Sequence, residues 1–271
     1  MKIFKDKQSL KKELSIVKNL SFIPTMGGLH DGHLSLIKKA KKYKMKILVS
    51  IYINPKQFNK LSDYKNYPRN HIKDVAVLKN SKINYLYLPS KTDIYGFKSN
   101  NKIFIDKFSK QLCGKFRKNH FKGVIDVVNR FLEIIKPKYI FLGIKDFQQL
   151  QLIRKHLLKK KIKTKIIECK TIREKNGVAC SSRNNNLSKK DFKIASKIYF
   201  YLNKLKKKLK NNSKYFKANK IKKNIYNLGA NRIDYIKYIN INKFQLPRNS
   251  KKKYKIFIAY NLKKVRLIDN I

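Results

Sequence analysis

Apolar positions along this chain follow two rhythms, and the rhythm changes once. The run Ser21-Phe22-Ile23-Pro24 reads as a short buried strand, and in the segment after it Leu36, Ala40 and Tyr43 recur at helical spacing. Residues 46–53, KILVSIYI, form a mostly apolar run rich in β-branched residues, the mark of a strand buried on both faces. Residues 84–90, NYLYLPS, give another strand, stopped by Pro89. Val124, Val127, Val128, Phe131 and Ile135 fall on one helical face within 124–136; Pro137 breaks the pattern, and YIFLGI (139–144) returns as a strand. Leu150, Ile153 and Leu157 form the next helical stripe, and TKIIECKTI (164–172) closes the series. Strand and helix in alternation predict a parallel α/β sheet with helices on both faces.

Beyond about residue 185 the pattern differs. Phe192, Ala195, Ile198, Tyr199, Leu202, Leu205 and Leu209 write one long helix. The Lys/Asn-rich stretch 206–220 reads either as a solvated helix face with a turn or as a flexible linker, and strands are expected at 233–241, 254–261 and 265–269. A smaller α+β domain is therefore expected at the C-terminal end, with the boundary between residues 170 and 185. No internal repeat is visible.

Composition narrows the class. A length of 271 residues with 42% hydrophobic residues, including 16 Phe and 16 Tyr, suits a globular chain of one large or two modest domains. No apolar run approaches the roughly 20 residues of a membrane span, and residues 1–20 scatter charge where a signal peptide needs an apolar core, so a cytoplasmic protein is expected. Cys113, Cys169 and Cys180 lack metal spacing and read as free thiols. The charge is extreme: 68 Lys and Arg against 15 Asp and Glu, or +53. Taken alone, that points to nucleic acid. The lysines, however, are spread along the whole chain, and Lys, Asn and Ile, all favoured by AT-rich codons, are abundant together. Compositional drift is the better reading, and no specific nucleic-acid partner is expected.

Four blocks carry candidate chemistry. The first, PTMGGLHDGH (24–33), holds three glycines and two histidines at a strand-to-helix turn. Glycines at a strand end let backbone approach a phosphate, and the next helix offers N–H groups and the positive end of its dipole. His30 and His33 flank Asp31-Gly32, and an imidazole there donates to a phosphoryl oxygen, the His-x-Gly-His logic of adenylyl transfer. Half of a metal site, or two histidines that merely pack the turn, are the bland alternatives. The second block, VSIYINPKQF (49–58), ends a buried strand in Asn54-Pro55 with Gln57 two residues on, neutral amides suited to hydroxyls and carboxylates. The third, FLGIKDFQQLQLIRK (141–155), runs a strand into Gly143, Ile144, Lys145 and Asp146 and then Gln148-Gln149; Asp146 is equally readable as a helix cap. The fourth, 171–188, sets Ser181, Ser182 and Arg183 side by side, a combination suited to a triphosphate or, more plainly, an N-cap beside a surface arginine.

These blocks, in this order and spacing, together with YPR (67–69), HFKGV (120–124), REKNGVACSSRN (173–184) and the terminal VRLIDN, resemble the pantothenate synthetase (pantoate–β-alanine ligase) family of the His-x-Gly-His nucleotidyltransferases. The resemblance spans essentially the whole chain. It implies a Rossmann-like, doubly wound parallel sheet binding ATP and pantoate over residues 1–175, and a smaller α+β lid domain over 176–271, usually in a homodimer. It implies a ligase that joins pantoate to β-alanine through a pantoyl adenylate, releasing pyrophosphate and AMP, with Mg²⁺ required. Carried over by position, Met26, Gly27, Gly28, Leu29, His30, Asp31, Gly32 and His33 form the ATP loop, with His33 the proton donor and His30 its partner. Gly143, Ile144, Lys145, Asp146 and Ile172 match ATP contacts, Lys145 as a catalytic phosphate lysine, and Cys180, Ser181, Ser182 and Arg183 match the β/γ-phosphate loop. Gln57 and Gln149 match the pantoate glutamines, Gln57 also bordering the β-alanine site, with Asn54 in the same substrate-binding set, and Asp74 matches a metal-associated acid. The chain departs from the family pattern at Ile144, where Glu is usual, at Lys118-Asn119, where Pro-Gly is usual, at Cys180 and at Asn186.

Overall fold

The computed structural model describes residues 1–211, 215–244 and 253–271. Most of the Lys/Asn-rich stretch lies in described helices, but its residues 212–214 fall outside the described residues. The chain divides into two compact units: Met1–Ile144 with Gln148–Lys170, and Lys145–Phe147 with Thr171–Ile271.

In the first unit the strands are β1 (Lys2–Phe4), β2 (Leu20–Thr25), β3 (Lys46–Ile51), β4 (Tyr85–Tyr87), β5 (Tyr139–Gly143) and β6 (Lys165–Cys169). The helices are α1 (Lys7–Leu14), α2 (Asp31–Lys41), α3 (Leu61–Lys65), α4 (His71–Asn80), α5 (Lys91–Tyr95), α6 (Cys113–Phe116), α7 (His120–Ile135) and α8 (Phe147–Lys159). All six strands are parallel, in the order β1-β4-β3-β2-β5-β6. Alternate side chains feed two cores. Leu20, Phe22, Leu48, Tyr85, Tyr87 and Ile140 meet Leu10 of α1, the apolar stripe of α7 and Leu150, Ile153 and Leu157 of α8. Ile23, Val49, Leu86 and Phe141 meet Leu36, Ile37 and Ala40 of α2 and Leu78 of α4. A sheet buried on both faces is the physical reason these strands read as apolar runs without alternation. The fold is thus the expected doubly wound sheet.

The differences from the expectation are local. The strand expected at 84–90 is only three residues long, and that expected at 164–172 ends at Cys169. The helix of 124–136 begins earlier, at His120. β1, α1 and the helices α3–α6 have no counterpart in the sequence reading, because none of them buries more than two residues: in α1 only Leu10 is buried, and in β1 and α3 none is.

In the second unit, α9 (Lys189–Asn211) and α10 (Ala218–Asn227) cover one face of an antiparallel sheet of β7 (Arg232–Asn240), β8 (Tyr254–Leu262) and β9 (Val265–Asn270). Ala195, Ile198 and Leu202 of α9 and Ile221 and Ile225 of α10 pack with Ile236, Ile256, Ile258 and Leu262. Among the described residues no helix is long and apolar enough to cross a membrane. The three cysteines are buried and form no disulfide among the described residues, and burial pushes the Cys169 thiol up to about 11.

Candidate active site

The strand order locates the site. β2 lies between β3 and β5, so the direction of winding reverses at β2/β5. The crevice beyond the carboxyl ends of the strands at such a reversal is where open α/β sheets bind ligands. The PTMGGLHDGH turn leaves β2 at this point, and Gly143 ends β5. Among the described residues no atom lies within 4 Å of where a Cβ on Gly143 would stand.

The turn has its geometry because Gly27 and Gly28 both take positive φ, +77° and +61°, which other residues adopt only with strain. Its donors are largely occupied by the protein. Gly28 and Leu29 donate to the Asp74 carboxylate at 2.9 and 2.8 Å, and Gly27 lies 3.3 Å from the Thr25 hydroxyl. α2 then opens with a reciprocal capping box made of imidazoles. His30, the N-cap, accepts at Nδ1 from Gly32 N–H at 3.1 Å, and His33 accepts at Nδ1 from His30 N–H at 3.4 Å. The rings lie 4.1 Å apart between centroids at 36°. A neutral imidazole that accepts at Nδ1 carries its proton on Nε2. The cap therefore sets the tautomer of both histidines and makes Nε2–H the donor of each. Half-buried Met26 precedes them, and Asp31, exposed in the first turn of α2, complements the helix dipole.

Gln57 lies on a one-turn helix, Pro55–Gln57, just past β3. It is 8% exposed; its amide nitrogen reaches Met26 Sδ at 2.8 Å and its side-chain oxygen lies 3.3 Å from Asn54 Nδ2. Its carbonyl accepts from His120 Nδ1 at 2.7 Å and from Arg117 at 3.4 Å, and Arg117 also meets His120 Nε2 at 2.9 Å. Arginine is a donor only, so Nε2 of His120 accepts and Nδ1–H donates. Asn54, 1% exposed, is fully engaged: Nδ2 donates to Gly123 O at 3.0 Å, and Oδ1 accepts from Tyr95 Oη at 2.9 Å and from Lys56 N at 3.2 Å. It braces Gln57. Gly123 allows α7 to touch this turn, since a Cβ there would lie 2.3 Å from Lys56 O. His120, Arg117, Tyr95 and Gly123 thus hold Gln57 from behind. Sequence reasoning gave them no role at this site, because the contacts join segments that are distant in the chain. The recurring HFKGV motif was the available signal.

The two glutamines of α8 separate cleanly. Gln148 is buried, accepting from Cys113 N–H at 3.0 Å and donating to Phe108 O and Gln111 O at 2.8 and 2.7 Å. Gln149 is half-buried and makes no side-chain hydrogen bond among the described residues. Half-buried Ile144 packs at the edge of the first core.

In the second unit, Lys145 and Asp146 are half-buried, and the Lys145 carbonyl accepts from Asn270 Nδ2 at 2.7 Å. Ile172 O accepts from Cys180 N–H at 3.0 Å, closing a tight loop in which Arg173 bridges Ala179. Gly177 at φ +84° leaves room for the Tyr199 ring, which a Cβ would meet at 2.2 Å. Arg173 forks onto Asp269 at 2.7 and 2.9 Å and stacks over Tyr199 at 4.4 Å. The Cys180 side chain points into this packing, 3% exposed, so its place in the loop is a backbone one. Ser181 caps the turn Ser182–Asn186 by accepting from Arg183 N–H at 3.3 Å; Ser182 is buried and Arg183 half-buried.

A doubly wound sheet with two tautomer-fixed imidazoles on a glycine turn at its switch point defines an α/β enzyme of nucleotide chemistry. The comparisons with known proteins are more specific. The family model for pantoate-beta-alanine ligase matches residues 2–271, and the chain belongs to that family. It is 40% identical to the pantothenate synthetase of Flavobacterium psychrophilum, over 98% of this chain and 95% of that one. It is 37% identical to the pantothenate synthetase of Francisella tularensis subsp. novicida, over 98% and 94%. A crystal structure of pantoate-beta-alanine ligase from Francisella tularensis, complexed with beta-gamma ATP and beta-alanine, superimposes with a TM-score of 0.85 at 36% identity, covering 100% of this chain and 97% of that one. Pantothenate synthetase from Thermus thermophilus gives a TM-score of 0.89 at 26% identity, covering 100% and 99%.

Proposed function

We propose that this chain condenses (R)-pantoate with β-alanine at the expense of ATP, through a pantoyl adenylate, releasing pyrophosphate and AMP. The observation that carries the reading is the imidazole capping box at the switch point, which presents Nε2–H from both His30 and His33. In the first step a pantoate carboxylate oxygen attacks the α-phosphorus and the bond to pyrophosphate breaks. Two anions approach each other, so donors placed for the charge at phosphorus act mainly in the transition state. His33 and His30 supply them at the turn of Met26–His33, and Lys145 neutralises phosphate charge. Arg183, with Ser181 and Ser182, takes the β/γ-phosphates, while Gly143, Ile144, Asp146, the Ile172 backbone and the Cys180 backbone shape the rest of the nucleotide site. Gln57 and Gln149 hold pantoate without adding charge, and Asn54 acts through Gln57. In the second step the β-alanine amine attacks the acyl carbon, AMP leaves, and the amine loses a proton. Water must be excluded meanwhile, and we assign residues 176–271 as the lid over the 1–175 domain.

Mg²⁺ is placed with the nucleotide. Among the described residues no three His, Cys, Asp or Glu side chains gather as a metal site, and both Asp74 oxygens already accept backbone N–H groups. That donor set does not fit a metal held by protein ligands. Mg²⁺ bound mainly by substrate phosphates is ordinary for nucleotide enzymes, so the substrate is Mg²⁺·ATP. We further propose a cytoplasmic location and a homodimer; light scattering tests the dimer directly. The decisive experiment measures pyrophosphate from ATP with pantoate, with and without β-alanine. One equivalent without β-alanine and turnover with it are expected. Release that ignores pantoate overturns the reading.

A further inference from the structure

The turn that carries the histidines already grips an anion, and that anion is part of the protein. Asp74 is in the first turn of α4, where Asn70 caps the helix by accepting from Lys73 N–H at 3.0 Å. The carboxylate is 3% exposed. Oδ2 accepts from Gly28 N–H at 2.9 Å and Oδ1 from Leu29 N–H at 2.8 Å, across 46 and 45 residues of sequence. Gly27 fits against it without a side chain: a Cβ there would lie 2.8 Å from Oδ2. Successive backbone N–H groups converging on one carboxylate are an anion nest, and here the nest is filled.

Resting on the pantothenate-forming reading above, we propose that Asp74 is a positioning residue that fixes the His30–His33 turn, and is not a ligand for the metal. The two amides it holds belong to the residues immediately before His30. With these amides fixed, the N-cap geometry that selects the Nε2–H tautomers is fixed too. The same occupancy changes how phosphate is met. Gly28 and Leu29 N–H groups are not donors to ATP; the imidazoles and the cationic side chains take that role.

The test uses the full-length protein labelled with ¹⁵N. Mn²⁺ alone, without nucleotide, is titrated into the parental protein, and the Gly28 and Leu29 amide signals are expected to keep their intensity. Selective broadening of these two overturns the proposal, because a metal on Asp74 would lie beside both. In Asp74→Asn, Gly28 and Leu29 exchange with solvent is expected to accelerate. Pyrophosphate release is expected to fall by up to about 100-fold in kcat, as for a catalytic group displaced by about 1 Å. The Mg²⁺ concentration for half-maximal activity stays unchanged. A parental kcat, or a raised Mg²⁺ requirement with both amides still protected, overturns the proposal. If Asp74→Asn does not fold, the Mn²⁺ titration and the protection of the two amides in the parental protein decide. Pantoate-independent behaviour of the parental protein would count against the catalytic reading, while the amide measurements still judge the clamp.

Discussion

At His30 one imidazole caps a helix with one nitrogen and offers a proton with the other, and the two roles are separable. Asn is a preferred N-cap residue, so His30→Asn keeps an acceptor for the Gly32 amide and removes the Nε2–H donor. Its thermal stability is expected to stay close to the parent, while adenylate formation loses about 2.7–4 kcal/mol of transition-state stabilisation, as when one preorganised donor is removed. Stopped-time pyrophosphate assays check this, and a parental rate in His30→Asn would remove His30 from the chemistry. A second histidine makes the opposite case. His156 is fully buried, accepts from Phe104 N–H at 3.1 Å and meets Asn129 Oδ1 at 3.0 Å. Burial, with the Lys160 charge adding to it, lowers its pKa to about 4. The unfolded chain therefore takes up this proton at higher pH than the fold does. Stability from the neutral ring is complete above about pH 6.5 and is lost as pH falls towards 4, by about 3 kcal/mol in all. Urea unfolding across that range is expected to show this slope in the parent and not in His156→Gln.

Helix ends show how this chain handles its shortage of glycine. Lys44, Lys82, Lys136 and Lys161 follow α2, α4, α7 and α8 with φ between 47° and 52°, where glycine closes a helix without strain. A left-handed non-glycine residue costs about 1–2 kcal/mol, so Lys136→Gly is expected to raise unfolding free energy by about 1 kcal/mol, measured as a higher urea midpoint at unchanged slope. Asn119 is a milder case: at φ +61° it opens α7 in a conformation asparagine tolerates. That is why Lys118-Asn119 serves where the family pattern has Pro-Gly. The contrast bears on what the sequence makes legible. β2, β3 and β5 are plain in it because both faces of each are buried and apolar residues run on without strict alternation. The histidine turn is plain because glycine and histidine are otherwise rare in this chain. β1 and α1 are hidden because lysines occupy their outer positions and a single leucine anchors the helix. The contacts of Asn54 and Asp74 are not legible in it: a bond from Asn54 to Gly123, or from Gly28 to Asp74, joins parts of the chain that no local periodicity connects.

Over the whole molecule, charge is lopsided by composition yet ordered in placement. Most of the few acidic side chains hold a specific local structure: Asp6, Asp93 and Asp106 accept from helix-opening or turn amides, Glu133 gathers the 99–101 loop, and Asp126, Asp234 and Asp269 pair with arginines. The lysines outnumber any partners they have, so the fold carries self-repulsion. Raising salt towards physiological strength, where charges are screened beyond about 8 Å, is expected to raise the melting temperature and to weaken adventitious DNA binding steeply. Adenylate formation changes little, because charge-assisted contacts to phosphate in the site are screened far less. Scanning calorimetry, a DNA-binding titration and pyrophosphate release over one salt series test all three; a melting temperature that falls with salt would mean the surface cations are matched after all.

The burial of all three cysteines gives the protein a practical property. Thiol-reactive dyes act on accessible thiolates, so the native residues will not compete with cysteines placed on the surface. Lys79 on α4 and Lys204 on α9 are exposed and stand in different compact units. A Lys79→Cys, Lys204→Cys double variant can be stained with a donor and an acceptor fluorophore without first stripping out any natural sulfur. Energy transfer between the dyes, followed as ATP and pantoate are added, is expected to shift if the C-terminal unit closes as a lid. An unchanged transfer efficiency under turnover would leave the two units as a fixed pair.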